Sequence, residues 1–308
     1  MTCDLHVAIV DYADAAASLH AVRDAVFLRE QGVPGALERD ALDPLCRHAL
    51  ALDPDGHPVG TGRLVPPFLA DPDRAEARIG RMAVLRPWRG RGVGDALLRA
   101  LVGEARARGW RRLMLHAQAP VIDFYARHGF LPEGPRFVEA GIEHRTMRLT
   151  LDTAMPVETR DGALAAWLAV LASARRELAV YSRDLDPGQL DQPPVLTALR
   201  RFTMRGGHAR ILLQDPAAAQ NALAPLIGLA QRRPSAFEFR AVEDPTDRGY
   251  PSAYVASDRG GWFFRPLGHR HEGELRLDDE VRARQLRLAF EPVWERARPC
   301  TEFRALGL

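Results

Sequence analysis

Apolar and polar positions change period several times along the chain, and each change marks an element. Leu5 to Val10 alternate as a strand does, and the stretch from about Ala15 to Glu30 repeats at helical spacing until Gly32-Val33-Pro34-Gly35 breaks it. Alternation returns over Cys46–Leu52 and Val59–Leu64, with Asp55-Gly56 between them as hairpin-turn chemistry. A loop from Pro66 to Arg74 then leads to a strand predicted over Ala77–Val84. Val93, Leu97, Leu98, Leu101 and Val102 fall on one face of a helix from Gly92 to Arg108, which Gly109 stops. A short buried strand at Leu113–His116, a helix at Val121–His128 ended by Gly129, a strand starting at Phe130-Leu131 and a last strand over Glu143–Leu149 complete the first half.

Periodicity lapses between Thr150 and Arg160, which places a domain boundary there and gives domains of 1–152 and 160–308. The second half alternates helix and strand. Helices are predicted at Gly162–Arg175, Val195–Arg205, near Asn221–Gln231 and at Asp279–Arg296; strands are predicted at Leu178–Tyr181, Arg210–Leu213, Phe237–Val242, around Tyr254 and at Trp262–Arg265. Both halves read as α/β, the first as a mixed sheet flanked by helices and the second as a separate α/β layer domain.

Composition narrows the picture. A length of 308 residues suits two such domains. No apolar run nears the ~18 residues of a membrane span, and the N-terminus lacks the basic and apolar regions of a signal peptide. A cytoplasmic protein without membrane contact is expected. A net charge of +2 gives no reason to expect nucleic acid. Cys3, Cys46 and Cys300 are scattered without metal-ligand spacing, so they are expected to be reduced structural thiols, and no metal is expected. The chain contains no lysine: all 42 basic residues are arginines. Schiff-base catalysis, a lysine base and a P-loop lysine are thereby excluded.

The sharpest local signal is Arg81-Met82-Ala83-Val84-Leu85-Arg86-Pro87-Trp88-Arg89-Gly90-Arg91-Gly92-Val93-Gly94, a strand, a loop and a helix start. Glycines at 90, 92 and 94 keep side chains away from an approaching anion, and the first amides of the helix lack acceptors within it. The helix dipole adds to the attraction, and Arg89 and Arg91 can close on phosphate oxygens with charge-assisted bonds. A Rossmann fingerprint fits poorly. It would bring the strand almost directly into glycine and place an acidic residue about 20 positions on, whereas the next strand here ends in His116-Ala117-Gln118.

At these residues the chain resembles the GNAT acetyltransferases, whose Arg/Gln-x-x-Gly-x-Gly/Ala signature is met by Arg89, Gly92 and Gly94. Similarity to the ElaA-like branch extends over most of the first half through Val26-Phe27-Leu28-Arg29-Glu30-Gln31, His48, Ile79-Gly80-Arg81-Met82, Ala117-Gln118-Ala119, Phe124-Tyr125 with Gly129-Phe130, and Gly141-Ile142-Glu143-His144. The resemblance implies acetyl-CoA as cosubstrate. It implies a splayed strand whose Met82, Ala83 and Val84 bind pantetheine through the backbone, and diphosphate binding at Arg89, Arg91, Gly92, Val93 and Gly94.

Acetyl transfer to an amine needs the amine deprotonated, a donor for the developing oxyanion and a proton for the departing thiolate. The resemblance puts Tyr125 in the last role and a backbone N–H near Met82 or Ala83 in the second. For the base, Glu30, His116, Glu139 and His144 stand as candidates, with His144 and Glu30 preferred. His48, on an alternating strand, reads as structural. Acceptor specificity is expected in the loops Gly32–Asp43 and Pro66–Arg74.

The second half is similar in outline to one half of the phospholipase D superfamily. The carriers are Leu178-Ala179-Val180-Tyr181-Ser182, the segment from Arg205 to Leu213, and Phe290-Glu291-Pro292-Val293-Trp294. If Asp258 is the aspartate of that superfamily's His-x-Lys-x4-Asp unit, the histidine and lysine positions hold Pro251 and Ala253. A noncatalytic regulatory or binding domain is therefore expected. His269-Arg270-His271-Glu272 reads as a solvated loop. The whole chain reads as an N-acetyltransferase for a small-molecule or peptide amine; the alternative is an acetyl-CoA sensor without turnover. Homodimerisation is left open.

Overall fold

The N-terminal elements form where alternating and helical patterns predict them, with a few additions. The computed structural model describes residues 5–71, 73–221 and 225–303, and Cys3 lies outside them. Strand β1 (His6–Asp11) runs into helix α1 (Tyr12–Arg23), whose Ala15, Leu19 and Val22 are buried. The predicted helix continues to Glu30, but its last part, Asp24–Glu30, is wound as a π-helix. The short helix α2 (Gly35–Glu38) is followed by the hairpin β2 (Arg47–Leu52) and β3 (Pro58–Val65). Then come α3 (Pro67–Ala70), β4 (Glu76–Val84), α4 (Val93–Ala107), β5 (Arg112–Gln118), α5 (Ile122–Ala126), β6 (Leu131–Glu139) and β7 (Ile142–Thr150).

These strands make a seven-stranded mixed sheet in the order β1-β2-β3-β4-β5-β7-β6. β4 and β5 are parallel neighbours, joined by the crossover helix α4. α4 presses Val93, Leu97, Leu98 and Leu101 into the sheet. The close approach needs Gly62 on β3: a Cβ there would lie 2.5 Å from the Met82 sulfur and 2.8 Å from a Leu101 methyl.

The region predicted as an aperiodic boundary holds a short strand, β8 (Met155–Val157), which pairs with the second sheet. There follow α6 (Arg160–Ser173), β9 (Glu177–Ser182), α7 (Pro193–Met204), β10 (His208–Leu213), α8 (Pro216–Asn221), α9 (Pro225–Gln231) and β11 (Phe237–Ala241). Part of the helix predicted near Asn221–Gln231, residues 222–224, lies outside the described residues. The described residues close with α10 (Pro245–Arg248), β12 (Ala253–Ser257), β13 (Trp262–Arg265), β14 (Gly273–Arg276), the long α11 (Glu280–Arg296), β15 (Arg298–Pro299) and a C-terminal 3-10 turn (Thr301–Phe303). The eight-stranded sheet runs β15-β11-β10-β9-β12-β13-β14-β8. One of its faces packs Tyr181, Leu212, Tyr254 and Trp262 against Leu286, Phe290 and Trp294 of α11.

By contacts the chain divides into two compact units, Met1–Gln118 with Pro135–Asp152, and Ala119–Gly134 with Thr153–Leu308. Both halves are thus α/β. No helix among the described residues is long and apolar enough to cross a membrane.

Candidate active site

The first sheet opens in its middle. β4 and β5 pair in parallel from Glu76↔Arg112 to Ile79↔Leu115 and no further. Beyond Ile79, β4 is held on one side by β3, through Thr61↔Ala83 and Gly60↔Val84. Beyond Leu115, β5 continues to pair with β7, through His116↔Thr146 and Gln118↔His144. Met82, Ala83 and Val84 therefore lie on a strand whose outer side has no partner strand among the described residues, and alternate residues turn their amide and carbonyl groups to that gap.

A β-bulge aims this part of β4. Between Thr61↔Ala83 and Arg63↔Gly80, β4 supplies Arg81 and Met82 against the single Gly62 of β3. Arg81 takes φ +50°, a costly conformation for a side-chain-bearing residue, and such bulges commonly redirect a strand beside a working site. Its guanidinium explains how the strain is held. Nε donates to the Glu38 carbonyl (2.9 Å), and Nη2 donates to the Leu37 carbonyl (2.9 Å) and to Asp40 (3.3 Å).

Under that loop lies a buried charge network that the sequence pattern did not reveal. Arg23, on the sheet-facing side of α1, pairs with Glu38 and with Asp43 (3.0 Å). Arg63 donates to Asp43 (2.7 Å) and Asp40 (2.7 and 2.9 Å). Arg23, Glu38, Asp43 and Arg63 are all at most 2% exposed. His48 is buried beside them with Nε2 on the Asp43 carbonyl (2.9 Å), and burial pushes its pKa down, which keeps the ring neutral. The signal lay in charges at positions that the periodicity assigns to the core: Arg23 on the apolar stripe of α1, and Arg63 on a buried strand. A buried charge must be paired, so these residues had to find one another.

The glycine-turned loop follows the gap directly. A 3-10 turn at Arg86–Trp88 leads to Gly90 (φ +73°) and Gly92 (φ +83°), and Gly92 is the N-cap of α4. Left-handed backbone at Gly92 turns the chain into α4, and this N-cap makes no side-chain hydrogen bond to the first amides of the helix. The Arg91 guanidinium rests on the Trp88 ring, 5.4 Å from its centroid.

Arg89 is anchored through Nε to the Val84 carbonyl (2.9 Å) and forks onto both oxygens of Glu30 (2.7 and 2.8 Å). Those Arg89 hydrogen bonds, with Arg86 3.6 Å away, hold the Glu30 carboxyl below its usual range. Glu30, preferred from the sequence as a base, is thus bound to Arg89 of the glycine-turned loop and is a weakened proton acceptor there. The π-helical turn is what delivers it. The next residue, Gln31, exchanges amide hydrogen bonds with Gln118 at the end of β5 (3.4 and 3.2 Å).

The histidines gather on the β5–β7–β6 side. His144 has Nδ1 on the Ile142 carbonyl (2.8 Å), is 9% exposed, and stacks on Phe137 with centroids 5.9 Å apart. His116, one residue past the last β4–β5 pair, meets the edge of the same Phe137 ring and has Nδ1 3.3 Å from Glu139. Tyr125 belongs to the other compact unit. It contacts Phe124 and Phe130 edge-on, and burial pushes its hydroxyl pKa far above the ordinary tyrosine value.

Among the described residues, one group could hold a metal: Asp53, Asp55 and His57 in the exposed β2–β3 turn. There the Asp53 carboxylate already accepts the amides of Asp55 and His57. Cys46 and Cys300 are free and buried, with thiol pKa values pushed up to about 11 and about 12 by burial, which makes them poor nucleophiles. In the second unit, the Asp258 carboxylate is occupied by the amides of Arg175 (2.8 Å) and Arg176 (2.9 Å). The exposed His269-Arg270 stretch contributes its backbone, where the Arg270 carbonyl accepts from Arg265.

Comparison with known proteins gives a separate match for each half of the sequence. Residues 18–130 match the acetyltransferase (GNAT) family, and residues 159–306 match a domain of unknown function, DUF7931. The chain is 34% identical over 127 residues to the uncharacterized N-acetyltransferase YjcF of Bacillus subtilis, a match covering 41% of this chain and 86% of that protein. It is 33% identical over 129 residues to the uncharacterized protein YyaT of the same organism, covering 41% and 82%. Among solved structures, Escherichia coli ElaA is 26% identical with a TM-score of 0.42, covering 47% of this chain and 98% of that one.

Proposed function

Because the chain belongs, through its N-terminal half, to the GNAT acetyltransferase family, we propose that it transfers an acetyl group from acetyl-CoA to a primary amine of a small molecule or peptide. Transfer is direct, with both substrates bound, and takes place in the cytoplasm. The observation that carries this reading is the gap between β4 and β5, which leads straight into a glycine-turned helix N-terminus. An extended arm can add to the free side of Met82–Val84 as a further strand would, while its diphosphate meets the amides of Gly92, Val93 and Gly94. Arg89 and Arg91 stand beside that end; Arg89 would exchange the Glu30 carboxylate for phosphate.

A backbone N–H near Met82 or Ala83 would face the oxyanion. Tyr125 is the proton donor to the leaving sulfur. Its raised pKa makes complete proton transfer to a thiolate of pKa ~8.5 uphill, so its contribution is a hydrogen bond to the sulfur as charge develops, followed by proton exchange with solvent.

The C-terminal half is read as a noncatalytic regulatory or binding module with an outline similar to phospholipase D. Pro251 and Ala253 stand where that superfamily's nucleophile and cation would be, and Asp258 is spent on two amides. A cavity of about 590 Å3 between β11 and the C-terminal turn, lined by His208, Gln231, Phe237, Phe239, Cys300 and Phe303, is of small-molecule size.

The test is thiol release by the full chain with acetyl-CoA and a panel of amines, alongside calorimetric binding of acetyl-CoA. Acceptor-dependent release is expected, and Tyr125→Phe should lower kcat about 100-fold with acetyl-CoA affinity unchanged. Binding without acceptor-dependent release would favour the second reading, an acetyl-CoA sensor. The depth at which Tyr125 is buried is the observation that keeps this reading in play.

A further inference from the structure

We propose that His116 is the group that takes the proton from the acceptor amine, and that Glu139 is its positioning residue. The inference rests on the acyltransferase reading above and deepens it.

Location comes first. β4 and β5 part company after Ile79↔Leu115, so His116 is the first residue of β5 beyond the fork, where a thioester lying along Met82–Val84 and an incoming amine would meet. Its neighbours Leu115 and Ala117 are buried in the sheet, whereas His116 keeps 32% of its side chain exposed. A proton acceptor needs that opening.

Chemistry comes second. Nδ1 of His116 lies 3.3 Å from Oε2 of Glu139. A carboxylate can only accept, so it selects the tautomer in which Nδ1 carries the hydrogen and Nε2 keeps its lone pair. The Phe137 ring, edge-on at 4.9 Å, limits rotation of the imidazole. Once Nε2 is protonated, Glu139 faces the resulting cation. His144 also packs on Phe137, stacked against the ring; from β7 the register partner of His116 is the neutral Thr146.

The competing candidates are otherwise engaged. Glu30 forks onto Arg89, and its basicity is lowered by that contact. His144 is nearly buried, and its Nδ1 is tied to a carbonyl of its own strand.

The step balances without a further reactant. His116 Nε2 takes one proton from the ammonium, the freed nitrogen bonds to the thioester carbonyl carbon, and the C–S bond breaks. The sulfur leaves as thiol after gaining a proton, and the nitrogen retains a single hydrogen in the amide. One proton is released to solvent overall.

The experiment compares the full chain with His116→Gln and Glu139→Gln, using an amine identified in the panel, over pH 6 to 10. His116→Gln should lower kcat/KM for the amine about 100-fold near neutrality. The deficit should narrow toward pH 10, where free amine is plentiful, and acetyl-CoA affinity should stay the same. Glu139→Gln should give a smaller loss in kcat with KM for acetyl-CoA unchanged, and should move the acidic limb of the profile. Imidazole should partly restore His116→Ala. An active wild type matched by His116→Gln at neutral pH, with acetyl-CoA still bound, would overturn the assignment of the base alone. A wild-type chain that binds acetyl-CoA and acetylates nothing would remove the acyltransferase reading and this inference together.

Discussion

The two sheets treat their parallel strands in opposite ways. In the second, β9 and β10 pair over six consecutive positions, from Glu177↔His208 to Ser182↔Leu213, and β11 extends the pairing from Phe237 to Ala241. In the first, only Glu76–Ile79 of β4 pair with β5, and the rest of β4 leaves one side open. A closed sheet consumes its backbone hydrogen-bonding groups in structure, so any ligand must be met by side chains or a cavity. An open one keeps main-chain donors and acceptors for an extended partner. The difference teaches where to look for chemistry in each half: along the backbone of β4 in the first, and in the pocket beside β11 in the second.

Buried ion pairs offer the harshest way to break that comparison. Arg265, 3% exposed, is the cation hydrogen-bonded to Asp186 among the described residues, whereas Asp43 is shared by Arg63 and Arg23. Arg265→Met should therefore destabilise the second unit by about 3–5 kcal/mol, and Arg63→Met should cost the first unit about 3 kcal/mol, at the lower end of the same range, because Arg23 remains. Denaturant unfolding followed by hydrogen exchange should show each loss in its own unit. Equal losses in both units from either change would show that the two sheets do not unfold separately.

A milder probe touches the open sheet alone. Gly92→Val forces a branched residue into φ +83°, at a cost of about 1–2 kcal/mol or more. Acetyl-CoA affinity should fall roughly 5- to 30-fold, while the exchange protection of β9–β11 stays as it was. Undiminished affinity would mean that the end of α4 is not the anion site.

The smallest expected effect is a pH dependence. Burial depresses the His48 pKa below its ordinary 6.5, so the unfolded chain takes up that proton first as pH falls. The neutral buried form contributes fully above about 6.5, and its contribution is lost as pH drops through the lower folded value. Stability of the first unit should decline below pH 6.5, and His48→Gln should flatten the slope; an unaltered slope would assign it to other groups.

Most strands and the long helices were legible because their apolar periods are local properties of the chain, and the Gly90-Arg91-Gly92 turn was legible because positive φ favours glycine. Several features were hidden. The Asp24–Glu30 segment keeps a helical pattern while winding as a π-helix, and β8 is too short to show a period. The extent of the gap between β4 and β5 depends on where pairing stops. That is decided by the bulge at Arg81 and by strand partners distant in sequence.

By itself, the order of residues determined the two α/β halves, the arginine-only basic chemistry and the glycine turn before α4, since each follows from local period, residue type or backbone freedom. Only the tertiary structure decided which partners the charged groups take. It set Glu30 on Arg89, Arg23 on Glu38, and Glu139 on His116. Those pairings join residues 15 to 59 positions apart, and electrostatics acts through space, so proximity created by folding, and not sequence spacing, assigns each charge its task.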